Sequence, residues 1–188
     1  MKEWITGRNP VYEVLQAKRR HLFQARIASG IEERGRISDI LGLLQRRKIP
    51  VERVSRQSLD QLAENHQGVA IQSSAYPYST LKDILDGLDG TQTPPFLLIL
   101  DELQDPQNLG TLLRTAEAVG VQGVIIPPHH SAGVTPAVVH ASSGATEHLL
   151  IAAHNHERHC SSPRLFADNA NSRREKVADT AIGSSYVG

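Results

Sequence analysis

The chain has 188 residues, of which 39% are hydrophobic and 21% are charged, and its 20 basic residues balance its 20 acidic ones. No apolar stretch is long enough to cross a bilayer, and the N-terminus lacks the apolar core of a signal peptide. A single cysteine, Cys160, excludes an internal disulfide and is typical of a reducing compartment. We therefore expect a soluble cytoplasmic α/β protein with no membrane role, built as one domain or two small ones.

The zero net charge hides an uneven distribution along the chain. Residues 1–82 carry fourteen Lys and Arg against eight Asp and Glu, residues 83–150 carry one against eight, and residues 151–188 carry five against four. The one cation of the acidic stretch is Arg114. This asymmetry indicates a basic N-terminal module that meets a polyanion and a neutral-to-acidic second module, although solvated helix faces would give the same charges.

Strands and helices alternate through the N-terminal module. Asn9 and Pro10 predict a helix start, as N-cap and first helical residue. Apolar periodicity then predicts strands at 23–29, 51–54 and 69–71 and helices at 37–44 and 58–63. A compact unit of roughly 75 residues is within the size range of small domains.

The second module follows a join at 76–79, a helix at 80–88 and a proline-containing linker. Five consecutive apolar residues at 96–100 predict a strand that is buried on both faces. After them the patterns predict a helix that ends at Gly120, a strand at 123–126, a helix at 135–140 and a strand at 148–152. This order implies parallel strands joined by right-handed crossovers.

A polar loop, turning at Pro106, separates the first strand of the second module from its helix. Ligands and catalytic groups gather at such loops in open α/β sheets. Arg114 lies off the apolar stripe of this helix. It is either a functional residue or a side chain that merely faces solvent. Asn108 is either a polar group of a site or the N-cap of the helix. The residues alone leave both alternatives open.

Three separated segments resemble the SpoU family of RNA ribose 2′-O-methyltransferases. Residues 100–111 together with Arg114 are similar to the first motif of the family, and residues 142–148 to its following Ser-x-Gly-Ala segment. Residues 7–11 and 66–69 resemble its RNA substrate-binding domain. Within the family, the likeness is greatest to the bacterial group that methylates a guanosine ribose of large-subunit ribosomal RNA.

The resemblance implies a small α/β RNA-binding domain at 1–76, a linker at 77–95, and the N-terminal part of a knotted, Rossmann-like parallel-sheet domain at 96–155. It also implies S-adenosylmethionine as methyl donor, ribosomal RNA as substrate and a homodimer. By their positions in the motifs, two residues would be catalytic and four would contact RNA: Arg114 and Asn108 in the first group, and Arg8, Asn9, His66 and Gln67 in the second.

Two later motifs of the family, Gly-x-Glu-x-x-Gly and an Ile-Pro segment followed by Ser-Leu-Asn, are absent from the sequence. In the family they form the knot and most of the donor pocket, so no cofactor-binding residue is assigned and the domain is expected to be incomplete. Residues 156–188 are interpreted as a non-family tail from a frameshift or a truncated gene. The spacing of His154, His156, His159 and Cys160 matches no strong zinc signature, and no metal is expected.

The sequence thus predicts methyl transfer from S-adenosylmethionine to a ribose 2′-hydroxyl. Such a hydroxyl must lose its proton as it attacks, and a fixed guanidinium can orient the adjacent phosphate and stabilise the developing alkoxide. The alternative is a non-catalytic RNA-binding protein that lacks the cofactor pocket. A generic nucleotide-binding protein is disfavoured because no Gly-rich phosphate loop follows Leu100.

Overall fold

The computed structural model describes residues 1–88, 94–127 and 131–154. Residues Met1–His154 pack into one compact unit that contains two β-sheets. The whole of the proposed tail, with His156, His159 and Cys160, lies outside the described residues. Within those ranges no helix is both long enough and apolar enough to span a membrane.

The N-terminal module is a four-stranded mixed sheet with helices packed on it. Its strands, in the spatial order β1-β4-β2-β3, are β1 (Lys2–Thr6), β2 (Leu22–Ala28), β3 (Val51–Val54) and β4 (Val69–Ser74). Strand β4 pairs antiparallel with β1 and β2, and β2 pairs parallel with β3. The helices are α1 (Arg8–Ala17), α2 (Arg36–Arg46) and α3 (Arg56–Asp60). The apolar faces of α1 and α2 share a buried core with the sheet that includes Val14, Ile27, Ile40 and Ile71, whereas Leu59 of α3 packs in a smaller cluster with Ala28 and Ala70.

The second module is built on three parallel strands. In the spatial order β5-β6-β7, these are β5 (Leu97–Ile99), β6 (Gly123–Ile126) and β7 (Ile151–Ala153). Its helices are α4 (Leu81–Asp86), α5 (Pro106–Ala118), α6 (Pro136–Ala141) and a 3-10 helix (Ala145–His148). A parallel sheet whose strands alternate with helices confirms the predicted α/β class.

Helix α1 begins earlier than the sequence predicts. It starts at Arg8 after Gly7, whose φ of 95° closes the turn from β1. The prediction of Asn9 as N-cap is therefore wrong, because Asn9 is the second helical residue and Pro10 the third. The side chain of Asn9 is exposed instead of being used in a cap.

Strand β1 is an element that the sequence patterns do not predict. It pairs with β4 from Lys2 to Thr6, but only Ile5 and Thr6 are buried along it. Buried and exposed residues do not alternate along so short a strand, so its sequence shows no period of two residues. The strand is specified by its pairing with β4, which lies more than sixty residues away in the sequence.

The strands of the second module also differ from the predictions. Burial of β5 on both faces is wrong, since Phe96 is 50% and Ile99 57% exposed. Strand β5 lies at the edge of the described sheet, where β6 is its one pairing partner among the described strands. Strand β7 begins at Ile151, because residues Ala145–His148 fold into the 3-10 helix.

Candidate functional site

A cleft of about 310 Å³ lies between the two modules, at the lower end of the range for ligand pockets. Its lining is almost entirely polar or charged. The N-terminal module contributes three lining residues, Asn9, Glu13 and Arg36. The second module contributes six, which are Arg114, Glu117, Ser142, Ser143, Ala145 and His148.

Arg114 reaches this cleft from α5. The helix turns Leu109, Leu113 and Ala116 into the core, and Arg114 is exposed on another side. This confirms that Arg114 lies off the apolar stripe. Its Nη1 donates to the hydroxyl of Ser143 at 3.4 Å, and it belongs to no salt bridge among the described residues. The arginine therefore has no carboxylate within salt-bridge distance among the described residues, although Glu117 lines the same cleft.

The Ser143–Gly144 turn holds the hydroxyl that faces Arg114. Both residues have left-handed backbone angles, with φ of 56° and 91°. A Cβ on Gly144 would lie 2.7 Å from the Cβ of Glu13 and 3.1 Å from the Cα of Pro10. Only glycine lets α1 approach the turn so closely, so this backbone contact sets the distance between the modules at the cleft.

A buried ion pair joins the modules behind the cleft. Arg20, just after α1, donates Nη2 to Oε1 of Glu147 at 2.7 Å and Nε to Oε2 at 3.0 Å. Both side chains are 0% exposed. Arg20 also donates Nη1 to the backbone oxygen of Ser74 at 3.2 Å. Such a bidentate pair has defined geometry and is costly to break, since either charge left alone would be buried.

Arg19 and Tyr76 complete this contact between the modules. Nη1 of Arg19 donates to the backbone oxygen of Leu149 at 2.6 Å, and Nη2 donates to that of Pro77 at 3.2 Å. The Tyr76 hydroxyl donates to the same Leu149 oxygen at 2.9 Å. Burial raises the pKa of Tyr76 to about 12, against a smaller opposing effect of the Arg19 charge. The phenol is thus neutral at physiological pH and serves as a hydrogen-bonding group.

The sequence analysis did not single out these connecting residues. Arg19 and Arg20 follow α1 as a basic pair, which is also the pattern of a solvated helix end. Glu147 lies within the Ser142–His148 segment, but its chain position carries no sign of burial. The burial of Glu147 depends on its ion-pair partner Arg20, which is 127 residues away in the sequence, so local sequence patterns do not predict it.

Three of the predicted RNA-contacting residues lie together in one corner of the N-terminal module. The backbone N–H of Arg8 donates to Oε1 of Gln67 at 2.9 Å, and its Nε donates to the Gln67 carbonyl at 3.3 Å. His66 is only 5% exposed, and its Nδ1 accepts from the N–H of Gly68 at 2.8 Å while Nε2 lies 3.0 Å from Asp60. His66 therefore shapes the loop, whereas Gln67 is exposed.

Asn9 and Asn108 are placed differently. Asn9 lines the cleft with Arg114. Asn108 is exposed in the first turn of α5, where its backbone N–H donates to Oδ2 of Asp105 at 3.2 Å. Asp105 is the N-cap, so Asn108 is not. Six residues separate Asn108 from Arg114, about 9 Å along the helix axis, and Asn108 does not line the described cleft.

Comparison with known protein families gives two matches in chain order. Residues 4–79 match the substrate-binding domain of RNA 2′-O ribose methyltransferases, and residues 95–163 match the SpoU rRNA methylase family. Each module with its sheet thus corresponds to one match, and the cleft lies between the two.

Curated relatives agree with these matches. A putative TrmH family tRNA/rRNA methyltransferase of Bacillus subtilis is 38% identical over 151 residues, which are 80% of this chain and 60% of that protein. The 23S rRNA (guanosine-2′-O-)-methyltransferase RlmB of Xylella fastidiosa is 37% identical over 153 residues, 80% of this chain and 61% of that protein. The chain spans about three fifths of the length of these relatives.

A solved structure shares the fold. The AdoMet-bound rRNA methyltransferase of Sinorhizobium meliloti aligns with a TM-score of 0.64 at 22% identity, and the alignment covers 84% of this chain and 56% of that one. At this identity the likeness concerns the fold alone. Family matches, relatives and fold agree, and the chain therefore belongs to the SpoU family of RNA methylases, carrying its substrate-binding domain followed by a methylase-domain match.

Proposed function

We propose that this chain carries the RNA-holding and arginine-bearing parts of an enzyme that methylates a ribose 2′-hydroxyl. One observation supports this above the others: Asn9 of the substrate-binding match and Arg114 of the methylase match line one cleft. A guanosine of large-subunit ribosomal RNA is the proposed target, supported by the name of the Xylella relative.

Arg114 is the proposed catalytic residue. Its guanidinium is exposed, hydrogen-bonded to Ser143 and without a carboxylate partner among the described residues. A cation in this state can hold the phosphate beside the target ribose and stabilise negative charge that develops on the 2′-oxygen. A role as the base is disfavoured, because a guanidinium keeps its proton in proteins. Asn108 is proposed as a second polar group of the site, reached from the exposed first turn of α5.

Arg8, Asn9 and Gln67 are proposed to contact the RNA directly. Gln67 and Asn9 are exposed, and the two hydrogen bonds from Arg8 to Gln67 tie the start of α1 to the loop before β4. His66 is proposed to act through this loop, because both of its ring nitrogens already have protein partners. It would hold Gln67 in position rather than contact RNA.

S-adenosylmethionine is the proposed methyl donor, supported by the family match and by the AdoMet-bound fold relative. Among the residues that line the described cleft there is no aromatic side chain to stack on the adenine ring of the donor, and Ala145 is the one apolar residue. We therefore propose no role for this cleft in holding the donor.

We further propose the division into a substrate-binding domain at 1–76, a linker at 77–95 and the beginning of a methylase domain at 96–155. A homodimer and a cytoplasmic location are proposed with it, the first on the family resemblance and the second on the proposed ribosomal RNA substrate.

The test measures binding and transfer separately. A fluorescent large-subunit rRNA fragment reports RNA affinity, calorimetry reports donor binding, and a methyl-labelled donor reports transfer. We expect Arg114→Ala to reduce transfer at least about 100-fold while RNA affinity falls by less than about tenfold, and Arg56→Ala, at an exposed arginine outside the cleft, to change neither strongly.

A different outcome would support the second candidate function. RNA binding without any heat of donor binding would indicate a non-catalytic RNA-binding chain, a reading favoured by the lack of an aromatic side chain among the residues that line the described cleft. Failure to bind the rRNA fragment would overturn both functions.

A further inference from the structure

Arg36 is an exposed arginine that the sequence motifs do not single out. It is the first residue of α2, and its guanidinium carbon lies 4.0 Å from the centroid of the Tyr12 ring. The Tyr12 hydroxyl accepts from Nε2 of Gln16 at 2.7 Å, which fixes the ring. A cation–π contact of this kind holds the guanidinium in place and leaves its N–H edges available to a ligand.

The charge of Arg36 has no carboxylate partner among the described residues. Two neighbouring arginines of the N-terminal module do have one, since Arg34 pairs with Glu32 at 2.7 Å and Arg53 pairs with Glu33. Arg36 instead lines the cleft that also contains Arg114. Each module thus contributes to the cleft one arginine that forms no salt bridge among the described residues, so its N–H groups are available to an anion even though Glu13 and Glu117 line the same cleft.

The cleft is held rigid between these two arginines. The buried Arg20–Glu147 pair joins the modules behind it, and Nε2 of His148 lies 2.8 Å from Oε2 of Glu13 across its lining. A rigid cleft loses little conformational entropy when a ligand binds. These contacts hold the helices that carry Arg36 and Arg114 in place relative to each other.

Two acidic residues limit which ligand fits. Glu13 is engaged by His148, but Glu117 lies about one turn beyond Arg114 on α5 and keeps its negative charge within the cleft. A densely charged free anion is less favoured here than a single phosphodiester. The hydroxyls and amide that also line the cleft, from Ser142, Ser143 and Asn9, suit the ribose hydroxyls and phosphate oxygens of an RNA strand.

We propose that Arg36 binds a backbone phosphate of the RNA strand whose target nucleotide is held at Arg114. The substrate would then be held by both modules within one cleft, with Arg36 as a positioning residue. This inference rests on the proposed function and adds to it a binding residue.

The test compares two arginines close together in the sequence. Arg36→Ala and Arg34→Ala each remove one exposed positive charge, but Arg34 does not line the cleft. RNA affinity is measured by fluorescence anisotropy across a series of salt concentrations. We expect Arg36→Ala to weaken binding about 3- to 10-fold and to reduce the slope of log K against log salt by about 0.7 to 0.9, the value for one lost phosphate contact. Arg34→Ala should leave the slope within error of wild type, and Arg36→Lys should be intermediate.

A second measurement localises the contact. In a titration with a short oligoribonucleotide, the Nε–Hε resonances of Arg36 and Arg114 should shift with the same midpoint while that of Arg34 stays fixed. Equal slopes for wild type and Arg36→Ala, or an unshifted Arg36 resonance, would overturn the inference. The same midpoint with inorganic phosphate would overturn it too, by indicating a simple anion site. If the wild-type chain binds no RNA, the proposed function itself fails, so the two failures are distinguishable.

Discussion

Arg20 and Glu147, 127 residues apart in sequence, form a bidentate ion pair with no solvent exposure on either side chain. The pair fastens the N-terminal module to the 3-10 helix that follows the Ser143–Gly144 turn. Arg114 donates to Ser143 in that turn. The geometry at the candidate catalytic arginine therefore depends on a contact buried behind it.

Glu147→Gln should destabilise the chain by about 3 kcal/mol, because it removes the bidentate partner of the buried Arg20 and leaves only the longer contact of 3.4 Å to Glu3. Urea unfolding followed by circular dichroism measures the loss. Glu52→Gln is the matched control, since it breaks an Arg–Glu pair whose Glu52 side chain is 53% exposed and should cost less than about 1 kcal/mol. Equal losses in the two variants would contradict the structural role of the buried pair.

Gly144→Ala should cost at least about 2 kcal/mol in the free energy of unfolding. The added methyl group meets Glu13 at 2.7 Å, and the φ of 91° is unfavourable for alanine. Gly120→Ala separates the two causes, because Gly120 has a φ of 76° but nothing within 4 Å of an added Cβ. It should cost about 1 kcal/mol. Equal losses of stability in the two variants would contradict a contribution of the close packing between α1 and the Ser143–Gly144 turn.

Tyr76 should make the stability of the chain fall in strongly alkaline solution. Its pKa is raised to about 12 in the folded state by burial, from 10.0 as the ordinary value. Its contribution is fully present below pH 10 and is lost as the pH rises through about 12, because the unfolded chain releases the proton first.

Two measurements check this. The 295 nm absorbance titration of wild type should contain a late step near pH 12 that Tyr76→Phe lacks and Tyr78→Phe retains. Urea unfolding should show that the stability advantage of wild type over Tyr76→Phe, constant up to pH 10, declines above it. A wild-type titration without the late step would refute the burial effect.

Glu117→Gln should strengthen RNA binding, by about two- to threefold in low salt. Glu117 lines the cleft one turn after Arg114, and its charge repels a phosphate there. The gain should shrink as salt is added, since screening weakens the repulsion. Glu52→Gln, at an exposed acid outside the cleft, removes the same charge and should have a smaller effect. A larger gain from Glu52→Gln would place the RNA elsewhere.

Much of the element order follows from local chemistry. Thr135 followed by Pro136 predicts the start of α6, and the structure places Thr135 as its N-cap. Strands β3 and β6 lie at the residues that the sequence predicts. Cap residues and hydrophobic periodicity act over a few residues, so a single sequence carries them. Local signals fail where two residues are candidates for the same N-cap. Asn9 is the predicted N-cap of α1, but Gly7 occupies that position in the structure.

The sequence by itself determined the α/β class, the order of the modules and the position of Arg114 outside the apolar stripe of α5. Only the tertiary structure decided that His66 is buried, that Arg36 lies in the same cleft as Arg114, and that Arg20 meets Glu147. The physical reason is the range of the interactions. A helix cap or an apolar stripe is set by neighbours in the chain, whereas the burial of a charge depends on a partner that packing brings from a distant segment.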